Sequence, residues 1–545
     1  MTTTTMGLRS RGAVLDSEHV GDIHGALGTI RAGDVAPRRG HSAVLKTLLA
    51  IVGPGLIVMV GDNDAGAFST YGQAGQSYGT RLLWTLLLLI PVLYVNQEMV
   101  LRLGAVTGVG HARLILQRFG KFWGAFSVID LFILNALTII TEFIGITLAA
   151  SYLGLPKAVA VGGAAVVIIA SAFTGSFRRF ERIAMTFCAG SLLLIPLYFM
   201  THPSGAEMTR GFLVPGLPGG SGQMATVMLL VIGIVGTTVA PWQLFFQQSY
   251  VIDKRITPRF MKYEKADLWI GIVIVVVGAA AVMGATAAAF AGSRAGAFTD
   301  SAGLAHGIAA YAGHFAGVVF AIALLDASII GAFAVSLSSA YAIGDVLGLK
   351  HSLHRGIGQA KGFYAVYAAL ICGAAAIVLI PGSPLGLITE GVQVLAGVLL
   401  PSATVFLLLL CNDREVLGPW VNGRKTNAFT SGVIAILITL SVVLTASVLF
   451  PAISAGQIVA IIVACAAVSL LGGAWMLVRR RGAVVVPHDD FSGTDRDMWR
   501  MPELALLGAP VVSRARKLGL TALRSYLAIA MILVVVKVVL MAVGH

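Results

Sequence analysis

Long apolar segments alternate with short polar ones along nearly the whole chain. Apolar stretches of about 18 or more residues recur between Leu45 and Leu477, and a further one lies near the C-terminus. A stretch of that length spans the hydrocarbon core of a bilayer as a helix. The predicted helices cover residues 45–79, 81–103, 122–153, 157–175, 183–201, 224–250, 266–291, 303–346, 362–381, 386–411, 429–450, 455–478 and 521–543. The pattern predicts an all-α polytopic membrane protein with 12–13 transmembrane helices.

The first and sixth of these helices are interrupted in the middle of the membrane. The first runs through "GLIVMV" into "GDNDAGAF", and the sixth runs through "GTT" to Pro241. Proline removes a backbone donor, and unwound backbone at membrane depth is tolerated only where it is buried or lines a cavity. Two breaks five helices apart are typical of a five-plus-five inverted-repeat transporter, whose substrate site lies between them. Kinks that only shape helix packing are the alternative.

The amino-acid composition and the absence of certain motifs argue against several classes of function. The chain is 57% hydrophobic and only 12% charged, with a mean hydropathy of +0.88, which excludes an ordinary soluble domain. The net charge of +13 does not require a nucleic-acid partner, because the basic residues cluster in particular loops. No HExxH or GxSxG motif and no Cys/His cluster occurs, so we do not expect an enzyme. The four cysteines are scattered and are expected to be buried apolar residues.

Basic residues concentrate in every second loop, which predicts the orientation of the chain. These loops carry Arg102, Arg113, Arg118 and Lys121, then Arg178, Arg179 and Arg182, then Lys254, Arg255, Arg259, Lys262 and Lys265, then Lys350, Arg355 and Lys361, then Arg414, Arg424 and Lys425, and finally Arg479, Arg480 and Arg481. Cytoplasmic loops are enriched in Lys and Arg, so the N-terminus is predicted to be cytoplasmic in the plasma (inner) membrane.

The same pattern divides the chain into regions. A cytoplasmic N-terminal arm over residues 1–43 precedes a transporter domain over residues 44–478. Within that domain, the expected repeats cover about 45–201 and about 224–411, followed by extra helices at 429–478. A cytoplasmic linker at 479–519 then leads to a hydrophobic helix at 520–545, which either spans the membrane or lies at its surface.

Several segments resemble the NRAMP-type divalent metal ion transporters. The longest is "GPGLIVMVGDNDAGAFSTYGQAGQSYGTRLLW", which resembles the first helix of that family without a gap. "RLGAVTG", "TEFIG" and "NDREVLGPWVN" are similar to other family segments, and the likeness covers roughly residues 45–478. The resemblance implies the inverted-repeat fold and a divalent metal cation as the transported substrate, with no cofactor and no required oligomer.

The resemblance also shows where this chain departs from the family. The family's first break reads Asp-Pro-Gly-Asn, and the matching residues are Asp64, Ala65, Gly66 and Ala67. The family's sixth helix reads Ala-x-x-Met-Pro-His-Asn, and the matching residues are Thr237, Ala240, Pro241, Trp242 and Gln243. Further matches are Gln247 for a second histidine, Gln393 for the glutamine of helix ten, and Glu142 for one of two acids in helix three, with Ile139 in place of the other.

These departures change the predicted metal preference. A methionine thioether favours softer ions, whereas Ala240 and Ala67 supply no ligand atom. Mg²⁺ prefers oxygen ligands and keeps several waters, so a roomy oxygen-lined site suits it. The predicted metal ligands are Asp64, the backbone near Thr237, Gln393, Gln243, Asp62, Asn63 and Glu390, and the site-shaping residues are Ala67, Ala240, Pro241, Trp242 and Gly66. The pattern is similar to NRAMP-related magnesium transporters, and it predicts uptake of Mg²⁺, Mn²⁺ or both by alternating access.

Proton coupling is predicted to be weak or absent, because no histidine lies in the predicted midplane. Candidate coupling or gating residues are Glu142, Asp326, Asp130 and Gln247. For Asp326, the alternative role is pairing with a polar neighbour in the bundle. For Trp242, the alternative to gating is packing. A proton-coupled Mn²⁺/Fe²⁺ transporter and a cation-coupled organic-solute transporter on the same fold are the alternative functions. Besides the metal ions, membrane lipid is the only partner expected.

Overall fold

The computed structural model describes residues 17–34, 36–218, 224–290, 300–381, 385–450, 453–481 and 495–508, with residues 519, 521 and 525. Its α-helices are α1 His41–Ile51, α2 Pro54–Val60, α3 Ala65–Tyr78, α4 Trp84–Thr107, α5 His111–Phe119, α6 Lys121–Tyr152, α7 Lys157–Ala172, α8 Phe177–Gly190, α9 Leu194–Thr201, α10 Gly205–Leu213, α11 Met224–Thr238, α12 Pro241–Asp253, α13 Met261–Phe290, α14 Ser301–Ala312, α15 His314–Leu347, α16 Lys361–Val378, α17 Leu385–Cys411, α18 Arg414–Leu417, α19 Arg424–Leu449 and α20 Ala455–Arg481. Short 3-10 helices cover Ser17–His19, Gly79–Leu82, Ser191–Leu193, Pro258–Phe260, Gly418–Trp420 and Leu504–Leu506.

Within the described residues, ten helical segments are long and apolar enough to cross a membrane, and the bent pair α1–α2 would make eleven. The predicted first and fourth helices account for most of the difference between this number and the 12–13 transmembrane helices expected from the sequence. The first is divided into α1, α2 and α3, and the fourth, α7, has only 16 residues. The predicted thirteenth helix at 521–543 lies almost wholly outside the described residues.

The two predicted breaks lie side by side at the centre of the bundle. The helix α13 packs against α2 and α3, α15 packs against α6, α11 packs against α17, and α12 packs against α4. Small residues permit these contacts, since a Cβ on Gly271 would lie 2.7 Å from the carbonyl oxygen of Gly55. Helices of both sequence halves therefore surround both breaks, as the inverted-repeat prediction requires.

One helix predicted to be continuous is interrupted in the structure. The expected helix at 303–346 is two helices, α14 and α15, separated at Gly313, whose φ is 93°. A positive φ ends a right-handed helix, and glycine adopts it without a steric cost. The short helices α5, α10 and α18, which connect longer ones, were not predicted, because brief amphipathic segments give little hydropathy signal.

The predicted N-terminal arm folds against the bundle over part of its length. An antiparallel hairpin pairs Ile23–His24 with Thr29–Ile30, and its tip packs on Ala50 of α1. The Arg178 guanidinium donates to the Gly25 carbonyl at 3.0 Å, and Arg182 donates to the Ala26 carbonyl at 3.0 Å. The hairpin is thus tied to α8 as well as to α1. Residues 495–508 of the predicted linker also contact the bundle, for example through the 2.7 Å bond from Trp420 Nε1 to the Arg496 carbonyl.

A fully buried ion pair lies beneath this hairpin. Lys254 Nζ is 2.7 Å from Glu181 Oε1, and both side chains have no solvent exposure. The same ammonium group donates to the carbonyls of Ile51 at 2.6 Å and Val52 at 2.9 Å, and Glu181 Oε2 accepts from the Ala26 amide at 2.6 Å. The pair therefore connects the end of α1 to α8, α12 and the hairpin.

The bend between α1 and α2 is held from its other side by Asp267 of α13. The two helices meet at 53°, and the bend leaves several backbone N–H groups without helical partners. The Asp267 carboxylate accepts from the amides of Gly53 at 3.2 Å, Gly55 at 2.7 Å and Leu56 at 3.2 Å. Lys254 thus satisfies the carbonyls at the end of α1, and Asp267 satisfies the amides at the start of α2.

Replacing Glu181 by glutamine should destabilise the protein, because it leaves the Lys254 charge buried without its counter-ion. Breaking one partner of a buried pair costs about 3–5 kcal/mol, so we expect a clear fall in the melting temperature measured by fluorescence-detected size-exclusion chromatography. The matched control is Glu207→Gln, since Glu207 is exposed at the start of α10. Equal melting temperatures for the two variants would contradict a stabilising role for the pair.

Candidate functional site

The first break is an unwound segment between α2 and α3. Helix α2 ends at Val60, and α3 begins at Ala65. Asp64 caps α3, because its Oδ1 accepts from the amide of Ala67 at 2.8 Å, and its side chain is almost fully buried. The carboxylate therefore lies at the positive end of the α3 dipole, which stabilises a negative charge there.

Asp62 belongs to a chain of polar side chains that leaves the break. Gln243 Nε2 donates a short hydrogen bond to Asp62 Oδ1, and Gln97 Nε2 donates to Gln243 Oε1 at 2.8 Å. The second carboxylate oxygen of Asp62 is buried and has no hydrogen-bond partner. These hydrogen bonds connect the first break to α12 and α4, and they leave one carboxylate oxygen of Asp62 available to a ligand.

The second break lies between α11 and α12. Helix α11 ends at Thr238, and α12 begins at Pro241 after an extended Ala240 with φ −87° and ψ 145°. The Thr238 hydroxyl is 2.7 Å from the hydroxyl of Tyr71 on α3, so the two breaks are directly connected. The neighbouring hydroxyl of Thr237 is buried and has no partner.

Trp242 fills space between the two breaks. Its indole lies against Gly61, since a Cβ on that glycine would be 3.6 Å from the ring, and its exposed fraction is 1%. Its carbonyl accepts from Ser338 of α15 at 2.9 Å. Ala67 and Ala240 are also buried and supply no polar side-chain atom. These contacts agree with the packing interpretation of Trp242.

Helices α6 and α17 contribute two further polar side chains beside the breaks, Glu142 and Gln393. Glu142 Oε2 accepts from the Ala65 amide at 3.1 Å, and Glu142 lies beside Asp64, because a Cβ on Gly331 would be 2.8 Å from the Glu142 carboxyl carbon and 2.9 Å from Asp64 Cβ. Two adjacent buried carboxylates repel each other, and a proton or a bound cation relieves that repulsion. On the other side, the Gln393 amide lies over Gly66, where a Cβ would overlap it.

The polar side chains around the two breaks form a central group, which is acidic and also contains neutral oxygens. Asp62, Asp64 and Glu142 form no ion pair with lysine or arginine in the part of the chain that the structure describes. Within the same described part, no three His, Cys, Asp or Glu side chains are arranged to hold a metal ion by themselves. A cation bound here would therefore use the carboxylates together with amide, hydroxyl or backbone oxygens.

The comparison with known families decides the classification. Residues 55–447 match the model of the family described as natural resistance-associated macrophage protein-like (Nramp). The chain belongs to the Nramp family. With ten apolar helical segments among its described residues, it is an integral membrane protein.

Similar proteins agree with this assignment. The chain is 29% identical over 404 residues to a divalent metal cation transporter, MntH, of Ralstonia nicotianae, with 70% of this chain and 87% of that protein covered. It is 25% identical to MntH of Klebsiella pneumoniae, with 73% and 94% covered. The crystal structure of the Eremococcus coleocola manganese transporter matches with a TM-score of 0.63 and 20% identity, covering 82% of this chain and 98% of that one, which supports the fold. The relatives it matches are transporters rather than enzymes.

Three predicted residues of this Nramp protein lie apart from the central group. Asn63 turns away from it, because its Nδ2 donates to the Val275 carbonyl of α13 at 3.2 Å, and it lines a pocket with Asp326. Asp130 lies 12 residues before Glu142, about 18 Å along α6. Its Oδ1 is buried without a hydrogen-bond partner.

Two further predicted residues lie on α12 and α17. Gln247 follows Gln243 by one helical turn, and both polar atoms of its side chain are buried without a partner. Glu390 lies in α17, but its side chain is outside the described residues.

Two polar residues beside the site were not among the predicted ligands. Gln97 of α4 is one of them, because its Nε2 donates to Gln243 Oε1. Tyr71, whose hydroxyl reaches the second break, was missed. It follows Asp64 by seven residues, which is two helical turns, so its position on the same face of α3 was the available signal.

Replacement by leucine should destabilise the protein at Gln243 but not at Gln247. Gln243→Leu leaves Asp62 and Gln97 with buried unpaired groups, which costs about 1–3 kcal/mol. Gln247→Leu removes a buried amide that has no partner, so stability should be unchanged or higher. Melting temperatures of the two variants against wild type test this. A larger loss for Gln247→Leu than for Gln243→Leu would contradict the hydrogen-bond chain.

Proposed function

We propose that this Nramp protein is a secondary transporter that takes up divalent metal cations by alternating access, with a site between its two helix breaks. The observation that carries the proposal is the set of buried carboxylates at the breaks, which have no basic partner among the described residues. Buried carboxylates without a counter-charge are costly, and a bound cation removes that cost. The names of the similar MntH proteins support the same substrate class.

We further propose that Mg²⁺ is the preferred ion, with Mn²⁺ also accepted. Ala67 and Ala240 stand where the family pattern has an amide and a thioether ligand, so the ligands left at the breaks are oxygens. Asp62 Oδ2 is buried and unpartnered, so it can bind an ion or accept from one of the ion's waters, and the side chain of Gln393 lies beside Gly66. These groups suit an ion that keeps part of its water shell.

A proton-coupled Mn²⁺/Fe²⁺ transporter is the second candidate, and one observation favours it. The buried carboxyl groups of Asp64 and Glu142 lie side by side, an arrangement that favours a proton on one of them, and an arriving cation would displace that proton. A cation-coupled organic-solute transporter is less compatible, because the acidic group disfavours an anionic substrate. Competition of uptake by amines or amino acids, rather than by divalent ions, would identify that third function.

The orientation is also proposed. The basic loops that carry Arg178 and Arg255 contact the hairpin, and cytoplasmic loops are enriched in Lys and Arg. We therefore assign the hairpin end to the cytoplasm of a plasma (inner) membrane.

Asp64→Ala should abolish transport, because it removes the carboxylate that both caps α3 and faces Glu142. In proteoliposomes containing a Mg²⁺-sensitive dye, we expect uptake to fall by at least about tenfold. Glu207→Gln serves as the matched carboxyl control at the protein surface. If wild-type protein neither transports Mg²⁺ nor lets Mg²⁺ compete with Mn²⁺, the magnesium assignment is wrong, and unchanged uptake by Asp64→Ala removes that residue from the site.

Ala240→Met should shift selectivity toward softer ions, since it restores a thioether at the second break. We expect the ratio of Mn²⁺ to Mg²⁺ uptake to rise by about tenfold, the equivalent of about 1.4 kcal/mol. The measurement is parallel uptake of the two ions at equal concentration. An unchanged ratio would mean that residue 240 does not face the ion.

A pH-sensitive dye inside the same vesicles tests coupling. With weak or absent coupling, an inward Mg²⁺ gradient should produce no acidification beyond that of protein-free vesicles. Metal-dependent acidification that disappears in Glu142→Gln would instead support the second candidate function.

A further inference from the structure

A narrow pocket lies beside the first break and is lined in part by Val60, Asn63 and Phe68. It is formed by α2, α3, α9, α15 and the 3-10 turn between α8 and α9. Its polar lining consists of Asn63, Ser191 and Asp326, and the rest is apolar. Asp62, Asp64 and Gln243 do not line it, so it is separate from the central group.

Two glycines provide the space that the polar side chains of this pocket occupy. A Cβ on Gly190 of α8 would overlap the carboxylate of Asp326. A Cβ on Gly278 of α13 would likewise overlap the amide of Asn63. Both side chains are therefore held in positions that larger residues on the neighbouring helices would prevent.

The oxygen atoms of the pocket are available to a ligand. Asn63 Nδ2 donates to the Val275 carbonyl at 3.2 Å, and Asn63 Oδ1 is left buried without a partner. The Ser191 hydroxyl donates to the Cys188 carbonyl at 2.7 Å, which leaves its oxygen lone pairs free to accept. Asp326 forms no ion pair with lysine or arginine among the described residues. The lining thus combines one carboxylate with two neutral oxygens.

The size and charge of the pocket indicate which cation fits. The space is that of about one water-sized particle, which is too small for Mg²⁺ with its retained waters. A single carboxylate balances one positive charge. Hard oxygen ligands suit a hard cation, and a monovalent ion loses its water at a much lower cost than Mg²⁺ does.

We propose that Asp326, Asn63 and Ser191 form a second cation site that binds dehydrated Na⁺. Asn63 lies between Asp62 and Asp64 in the same unwound segment, so an ion held here fixes the backbone that presents both carboxylates. Resting on the proposed transport function, this site makes divalent-cation uptake dependent on Na⁺.

Binding of radioactive sodium to the purified full-length protein tests the site without any transport step. We expect binding that unlabelled Na⁺ displaces and K⁺ does not, and that is at least about tenfold weaker in Asp326→Asn and in Gly190→Ala. The controls are Glu207→Gln for the lost charge and Gly163→Ala for the added methyl group, since a Cβ on Gly163 meets no atom within 4 Å. Monodisperse elution and an unchanged melting temperature confirm that each variant is folded.

Mg²⁺ uptake into proteoliposomes, with Na⁺ replaced by choline, then tests coupling. Faster wild-type uptake with Na⁺, and the loss of that difference in Asp326→Asn, would support the proposal. Absence of displaceable sodium binding, or equal binding by wild type and both variants, would overturn it. A Na⁺-independent uptake whose pH dependence disappears in Asp326→Asn would also overturn it, in favour of a proton on Asp326. Sodium binding without any Mg²⁺ uptake would support the site and refute only the proposed preference for Mg²⁺.

Discussion

Two helices of this protein are unwound at membrane depth, and their backbone groups must find partners inside the protein because lipid offers none. This constraint determines the arrangement around the breaks. Asp64 and Glu142 accept from amides at the start of α3, and the Tyr71–Thr238 contact connects the two unwound segments. The groups that satisfy the backbone are therefore the same groups that make the centre of the bundle acidic.

The same constraint applies at the hairpin end of the bundle, where α1 meets α2 at an angle. Lys254 donates to carbonyl groups at the end of α1, and the Asp267 carboxylate accepts from amides at the start of α2. Glu181 neutralises Lys254 and also receives an amide of the N-terminal hairpin. As a result, the position of α1 depends on α8, α12, α13 and the arm together.

Three consecutive polar residues of the first break face different surroundings. Asp62 is directed to Gln243, Asp64 caps α3, and Asn63 is turned to α13 and the pocket with Asp326. An unwound segment allows this divergence, because its side chains do not follow the 100° spacing of a helix. One short segment can thus contribute side chains both to the proposed divalent-cation site and to the proposed Na⁺ site.

The sequence by itself determined the membrane class, the positions of both breaks and the resemblance to Nramp transporters. These features depend on hydropathy, on proline and glycine, and on contiguous motifs, all of which are local along the chain. The split of α14 from α15 was missed because Gly313 interrupts a helix without changing its hydropathy.

Only the tertiary structure decided which polar residues meet. Asn63 and Asp62 are neighbours in sequence but face different helices, whereas Gln97 and Gln243 are 146 residues apart and share a hydrogen bond. The buried partner of Lys254 and the docking of the hairpin could not be predicted either, because both depend on how α8, α12 and α13 pack against one another. Side-chain partners in a helical bundle are determined by helix packing, which sequence periodicity does not specify.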